Sequence, residues 1–393
     1  MHLVLYDLRL RTKRTSEILA PVPWRNSGHT RKHKERTISL AKARIIALLM
    51  LVALGSSVLR GPGSASFASQ TSPAKVERLD PSANEVIPDG VTLQRLATGY
   101  TWTEGPIWIR NGYLLFAEIP SNSIRKLSSA GSVTVFLQPS GYNGSSPFGG
   151  AEPGSNGMTL DARGRLTVAG HAQRDVYRIE TLSNPTHITI LADTYEGKRL
   201  NSPNDLVYRS DGSLYFTDPP YGLPTQKDTD AAKELKINGV YRLEGAAEQR
   251  PDAPPRRDKL QLVVKDLPRP NGIVFSPDEK YLYVSNSEPQ KTWMRYQVDP
   301  DGSLADGKVF YDATDDPLVG NPDGIKVDRA GNLYGAAPGG VWVFSPAGKH
   351  IATIVITERV ANLNWGGKDG KSLFVTASGS IYRIDLKIPG VHP

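Results

Sequence analysis

Asn271-Gly272-Ile273-Val274-Phe275-Ser276-Pro277-Asp278-Glu279, followed by Lys280-Tyr281-Leu282-Tyr283-Val284-Ser285, reads as a strand, a tight turn and a returning strand. It decides the fold because it recurs. A polar, oxygen-bearing residue stands eight positions before a turn residue six times: Glu104 before Gly112, Asn156 before Gly164, Asn204 before Gly212, Asn271 before Glu279, Asp323 before Gly331 and Asn362 before Gly370. Five of these six turn residues are glycine, which takes the positive φ of a tight hairpin without steric cost.

The turn positions are 52, 48, 67, 52 and 39 residues apart. A period of about 40 to 50 residues with several short strands per repeat is the signature of a β-propeller, and six repeats predict six blades. The expected returning strands are 113–117, 165–169, 213–217, 281–285, 332–336 and 372–377, and strands rich in Val, Ile, Tyr or Trp follow, as at 239–243 and 340–344. The long third interval holds two loop insertions, 221–238 and 250–257, and the only stretch with a helical look is 229–235. The last repeat runs out after about three strands, so 91–97 is expected to supply its missing outer strand and close the ring. The domain reading is a leader over 1–68, a Gly/Ser/Ala/Pro-rich linker over 69–90, an all-β propeller over 91–386 and a tail over 387–393.

The net charge of +7 invites a nucleic-acid reading until its position is considered. Residues 1–68 carry 12 Lys/Arg against 3 Asp/Glu, whereas 69–393 carry 35 against 37, so the basic character belongs to the leader and nucleic acid is not expected as a partner. A basic stretch from Arg31 to Arg44, an apolar run over 45–54 and small residues up to Ala68 have the layout of a secretory signal with a cut after Ala68. Export to a bacterial periplasm is expected, with no stable membrane insertion after cleavage; an uncleaved anchor is the alternative. The absence of cysteine excludes disulfides, thiolate metal sites and cysteine nucleophiles. No Gly-x-Ser-x-Gly elbow is present, and Asp299-Pro300-Asp301-Gly302-Ser303 lacks the closing glutamate of a calcium loop and reads as a hairpin turn.

In a propeller the first strand of each blade lines the central channel, so six residues in one register ring one mouth. Taken singly, Asn-Gly and Asp-Gly are ordinary turn dipeptides; recurrence argues for the ring. Two carboxylates and four amides offer hard oxygen ligands that suit Ca²⁺. Mg²⁺, Mn²⁺ and Zn²⁺ stay open, zinc being disfavoured because His171, His187, His350 and His392, the histidines beyond the leader, include no pair with ligand-like spacing.

Thr103-Glu104-Gly105-Pro106, Leu200-Asn201-Ser202-Pro203-Asn204-Asp205, Arg269-Pro270-Asn271-Gly272-Ile273 and Pro322-Asp323-Gly324-Ile325 resemble the signatures of the gluconolactonase and regucalcin-like (senescence marker protein) family, over roughly 90–385. The resemblance implies a six-bladed propeller that holds one divalent cation, usually calcium, on its axis and hydrolyses sugar lactones; phosphotriester-cleaving relatives share the plan. The family's metal ligands match Glu104, Asn204, Asn271 and Asp323, which leaves Asn156 and Asn362 to contact substrate or water. Regucalcin-like members carry arginine two positions before the second ligand, where Ser202 stands here. The form 201–205, with Asp218-Pro219-Pro220-Tyr221-Gly222 downstream, is nearer the bacterial gluconolactonase type.

The expected chemistry is polarisation of the lactone carbonyl by the cation and attack by water, with Asp323 as general base or, in the alternative, as nucleophile. His171, Asp218 and Tyr221 are expected near the same mouth as substrate-binding residues. Two other readings stand beside this one: an organophosphate or aryl-ester hydrolase using the same site, and a non-enzymatic exported propeller whose cation is structural. The oligomeric state is not legible.

Overall fold

A computed structural model describes residues 65–66 and 69–391, all within Pro62–Pro393, the second of two compact units of the chain. The basic leader, its apolar run and the expected cleavage point lie outside the described residues. Six antiparallel sheets follow one another along the chain, each running outward from an innermost first strand. Those first strands are Thr103–Ile109, Met158–Leu160, Leu206–Tyr208, Pro270–Phe275, Ile325–Val327 and Val360–Gly366. The six expected hairpin residues all have positive φ, from 73° to 90° at the five glycines and 54° at Glu279. Glu279 tolerates the left-handed region because both its carboxylate oxygens are held by the hairpin of the preceding blade, accepting the Ser210 amide at 2.8 Å and the Ser210 hydroxyl at 2.6 Å.

Between blades lie slabs of apolar side chains. Ile107, Ile109 and Leu115 of blade one interlock with Met158, Leu166 and Val168 of blade two, and the same arrangement repeats around the ring. The residues expected to pack there, Ile107, Met158, Leu206, Ile273 and Ile325, are all buried. The ring closes as expected: Thr92–Ala97 pairs with Ser380–Asp385, the third strand of blade six. Joining the first and last parts of the chain in one sheet leaves no free seam between blades one and six.

Three expectations need correction. Segment 69–90 is not a linker: Gln70–Pro73 extends blade six beyond the closing strand, Val76–Arg78 adds a fifth strand to blade five, and Ala83–Val86 is a short helix whose apolar side chains are buried against blades five and six. Its Gly/Ser/Pro content hid strands only three and four residues long. Segment 229–235 contains turns and no helix, because Asp230 spends its carboxylate on the Thr225 and Ala232 amides. The tail is docked across the hairpin face, where Gly390 bonds Gly370 and lies so close to the Trp365 ring that no side chain would fit.

Each innermost strand carries one extra residue at the ring position. In blades one, four and six the ladder slips by one residue between Glu104 and Ile107, Pro270 and Ile273, and Val360 and Asn362. In the other three, one residue of the second strand serves two consecutive residues of the first. Ala169 accepts from Asn156 and donates to Gly157; Thr217 does so with Asn204 and Asp205, and Ala336 with Asp323 and Gly324. The bulge re-aims the ring side chain toward the axis in blades one to five. In blade six the extra residue is Ala361, whose carbonyl accepts the Gly324 amide at 2.9 Å as that of Asn204 accepts the Gly157 amide. Ala361 therefore holds the ring position, and the expected Asn362 stands one residue beyond it.

The glycine after the ring residue has its own cause. A Cβ on Gly105, Gly157 or Gly272 would lie 2.3, 2.6 or 2.3 Å from the backbone carbonyl oxygen of Asn156, Asn204 or Asp323 in the next blade. Gly157, Gly272 and Gly324 do not need a positive φ; it is the neighbouring strand that excludes a side chain. The recurring dipeptides are therefore contacts between inner strands and not turns. Gly272→Ala should cost about 2 kcal/mol, since backbone cannot yield as a side chain can, and a urea midpoint lowered accordingly is the check.

Candidate active site

The bulged residues open into a cavity of about 300 Å³ at the channel mouth opposite the hairpin turns. Glu104, Asn156, Asn204, Asn271 and Asp323 all line it, with Tyr221, Arg359 and Glu152 in the wall. A larger groove of about 1050 Å³ lies on the hairpin face and contains none of the ring residues.

Three of the ring oxygens, Asn156 Oδ1, Asn271 Oδ1 and Asp323 Oδ1, are buried and accept no hydrogen bond. The Asn271 amide is oriented by its other end: Nδ2 donates to Ser287 Oγ at 3.1 Å, and that hydroxyl donates to Pro322 O at 2.7 Å, which turns Oδ1 toward the cavity. Burial pushes the Glu104 carboxyl up to about 7, against hydrogen bonds from the Gly105 amide and Asn362. Burial, and then the Glu104 charge, hold Asp323 well above the usual carboxylate range. Neither carboxylate has an ion-pair partner among the described residues. Buried acceptors without donors, and buried like charges without an ion-pair partner, are costly arrangements that a bound cation relieves. Glu104, Asn204, Asn271 and Asp323 thus fit a hard divalent ion such as Ca²⁺, whose ligands are carboxylate and amide oxygens.

The remaining expected residues divide. Tyr221 lines the cavity, carried there by the insertion of blade three. Asn362 is buried behind the ring: it bonds Glu104, and its Oδ1 accepts the Leu363 amide at 2.8 Å. Asp218 does not reach the cavity. It is fully buried, its two oxygens accept the amides of Asn201 and Ser202 at 2.8 Å, and it therefore anchors the segment that delivers Asn204. His171 is also fully buried, its Nε2 2.9 Å from Glu152 Oε2. Ser202 is fully buried and its hydroxyl accepts the Gly222 amide at 2.9 Å. This contact seats Tyr221.

Glu152 was not expected. It lies four residues before Asn156 on an irregular loop between blades, with no counterpart in the repeat register, so spacing gave no signal. Arg359 was missed for the same reason; its guanidinium lies over the Trp102 ring, 5.3 Å from the centroid, and its charge acts to lower Asp323.

Residues 102–379 match the family model described as the SMP-30/Gluconolactonase/LRE-like region. The chain is 36% identical over 326 residues to a gluconolactonase of Zymomonas mobilis, covering 80% of this chain and 87% of the relative. Among solved structures it is similar to a gluconolactonase of Xanthomonas campestris, at 30% identity and a TM-score of 0.67 over 83% of this chain and 98% of that one. A putative gluconolactonase is similar at 28% identity and a TM-score of 0.69, over 81% of this chain and the whole of the other.

Replacing Asp218 by Asn sets an NH₂ group against one of two backbone amides. Asp218→Asn should lose about 2 kcal/mol in urea denaturation and weaken divalent-cation binding about tenfold or more in calorimetry, through misplacement of Asn204.

Proposed function

Because the chain belongs to the SMP-30/gluconolactonase/LRE-like family, we propose that it is a lactonase that opens sugar lactones with the help of a divalent cation held by Glu104, Asn204, Asn271 and Asp323. The observation that carries this reading is the convergence of unpartnered buried oxygens of Asn156, Asn271 and Asp323 on one open cavity. The oxygen-only donor set favours Ca²⁺ and is shared by Mg²⁺ and Mn²⁺. Among the described residues no imidazole lines the cavity for zinc, His171 being engaged with Glu152 behind the wall.

A lactone is an ester, so hydrolysis needs an electrophilic carbonyl and a positioned water. The bound cation would polarise the carbonyl and offset the negative charge that grows on its oxygen. Asp323 would take the proton from the attacking water; that its Oδ1 accepts no hydrogen bond among the described residues supports this role. Asn156 offers an amide to the substrate hydroxyls or to that water, and Tyr221 with Arg359 forms the wall against which a sugar ring would rest. A cavity of about 300 Å³ lies at the lower end of the range of small-molecule sites and exceeds what a structural ion alone requires.

The purified protein should hydrolyse glucono-1,5-lactone in a pH-indicator assay, lose that activity on chelation and regain it with Ca²⁺. Asp323→Asn should lower kcat at least 100-fold. Full turnover in a chelated sample shown by elemental analysis to be metal-free would remove the cation from the mechanism; normal turnover by Asp323→Asn would remove the base.

A further inference from the structure

We propose that Glu152 and His171 form a pair holding a shared proton, which Glu152 delivers to the ring oxygen of the lactone as its bond to the carbonyl carbon breaks. The proposal rests on the lactonase reading and adds to it the acid that the leaving group requires.

His171 is the only described histidine with no solvent exposure, and its backbone is left-handed at φ 45°. A bulky residue held in that region marks a position fixed by its surroundings. The surroundings are evident: a Cβ on Gly222 would lie 2.8 Å from the ring's Cγ and Cδ2, so the ring fits only because residue 222 is glycine. Both ring nitrogens face oxygen. Nδ1 is 3.3 Å from Pro203 O, and Nε2 is 2.9 Å from Glu152 Oε2. A neutral imidazole has one N–H, and a backbone carbonyl accepts only. Satisfying both contacts requires a second proton, carried as imidazolium beside a carboxylate or as a carboxylic acid beside a neutral ring.

That proton lies at the cavity wall. Glu152 belongs to the lining, with 23% of its side chain exposed, whereas His171 is closed off behind it. The loop around Glu152 is fixed: the Tyr142 amide bonds Pro153 O at 2.7 Å, and the Gly154 amide bonds Ile119 O at 2.9 Å. Glu152 lines the same cavity as Glu104 and Asp323.

The step balances. Water adds to the carbonyl carbon while Asp323 takes one of its protons; the carbon–ring oxygen bond then breaks, its electron pair goes to the ring oxygen, and that oxygen takes the proton of the pair. The products are a carboxylic acid and an alcohol on one chain, and the proton on Asp323 returns to the pair through solvent. Aldonolactones need this help because their leaving oxygen is an alkoxide. A phenolic lactone does not, phenols ionising near 10.

The test compares Glu152→Gln with the wild-type full chain on glucono-1,5-lactone and on dihydrocoumarin, a phenolic lactone, with Ca²⁺ affinity measured by calorimetry. The expected result is a fall in kcat of about 100-fold or more on the aldonolactone, with KM, Ca²⁺ affinity and dihydrocoumarin turnover each within about threefold of wild type. No loss, a loss confined to KM or cation affinity, or equal losses on the two lactones would overturn the proposal. Where the wild type does not accept dihydrocoumarin, the division between kcat and KM decides. His171→Gln, a change at the positioning residue, should give the same substrate-dependent fall; Glu152→Gln keeps the test valid if that variant does not fold. Failure of the wild type on every aldonolactone would instead remove the lactonase reading itself.

Discussion

One extra residue in each innermost strand is the constraint on which the rest of the molecule depends. Without it, the pleat would carry the six polar side chains along a regular in-and-out alternation. With it, five of the six are re-aimed toward the cavity, Asn362 remaining behind the ring, and the strand resumes its packing between blades one or two residues later. The inner strands then approach so closely that the following residue can hardly bear a side chain. Four of the six are glycine. The exceptions show what replaces it. In blade three Asp205 follows the ring residue and turns its carboxylate toward Lys326, 3.5 Å away, and in blade six Asn362 follows Ala361 and turns its Oδ1 to the Leu363 amide at 2.8 Å.

The same geometry divides the channel by charge. At the loop mouth the ring presents acceptors, two of them carboxylates, neither of which is in ion-pair contact with a described cation, although Arg359 lines the same cavity. Three residues further along the fifth inner strand, Lys326 places an ammonium group against Asp205 and the Ile325 carbonyl. The lysine balances Asp205, while Asp323 is offset only by the Arg359 charge and without an ion-pair contact. Desolvated negative charge is thereby concentrated where an exchangeable cation and a substrate can both enter.

Much of this was legible in the sequence because it is periodic. The eight-residue register gave the blade count, five of the six cavity-lining positions and all six left-handed hairpin residues, including Glu279, whose side chain offered no hint of its backbone; in blade six it pointed one residue too far, to Asn362 instead of Ala361. The seam was legible too, since a last repeat one strand short requires a donor. What escaped was aperiodic. Gln70–Pro73 and Val76–Arg78 are too short to show alternation and take their stability from edges formed by distant residues. Asp218 and Asn362 have the chemistry of site residues but spend it on the Asn201 and Ser202 amides and on Glu104, and only coordinates show how a carboxylate or amide is employed. Glu152 lies in a loop of turn-forming residues, where position in the chain carries no information about depth in the cavity.

A sixfold ring does not by itself make a catalyst, because hydrolysis of an ester requires different groups on the two sides of one carbonyl. Symmetry is broken in two ways. The ring sequence alternates unevenly, so that the carboxylates Glu104 and Asp323 belong to blades one and five, separated on one side by blade six and its supporting Asn362. The loops then differ blade by blade. The one between blades one and two brings Glu152 to the wall, and the insertion of blade three brings Tyr221. Ser202 and Gly222 join these two additions physically, since the glycine that seats Tyr221 also makes room for the imidazole behind Glu152. Tyr221 and the imidazole behind Glu152 therefore share one packing contact, and a side chain at residue 222 would disturb both.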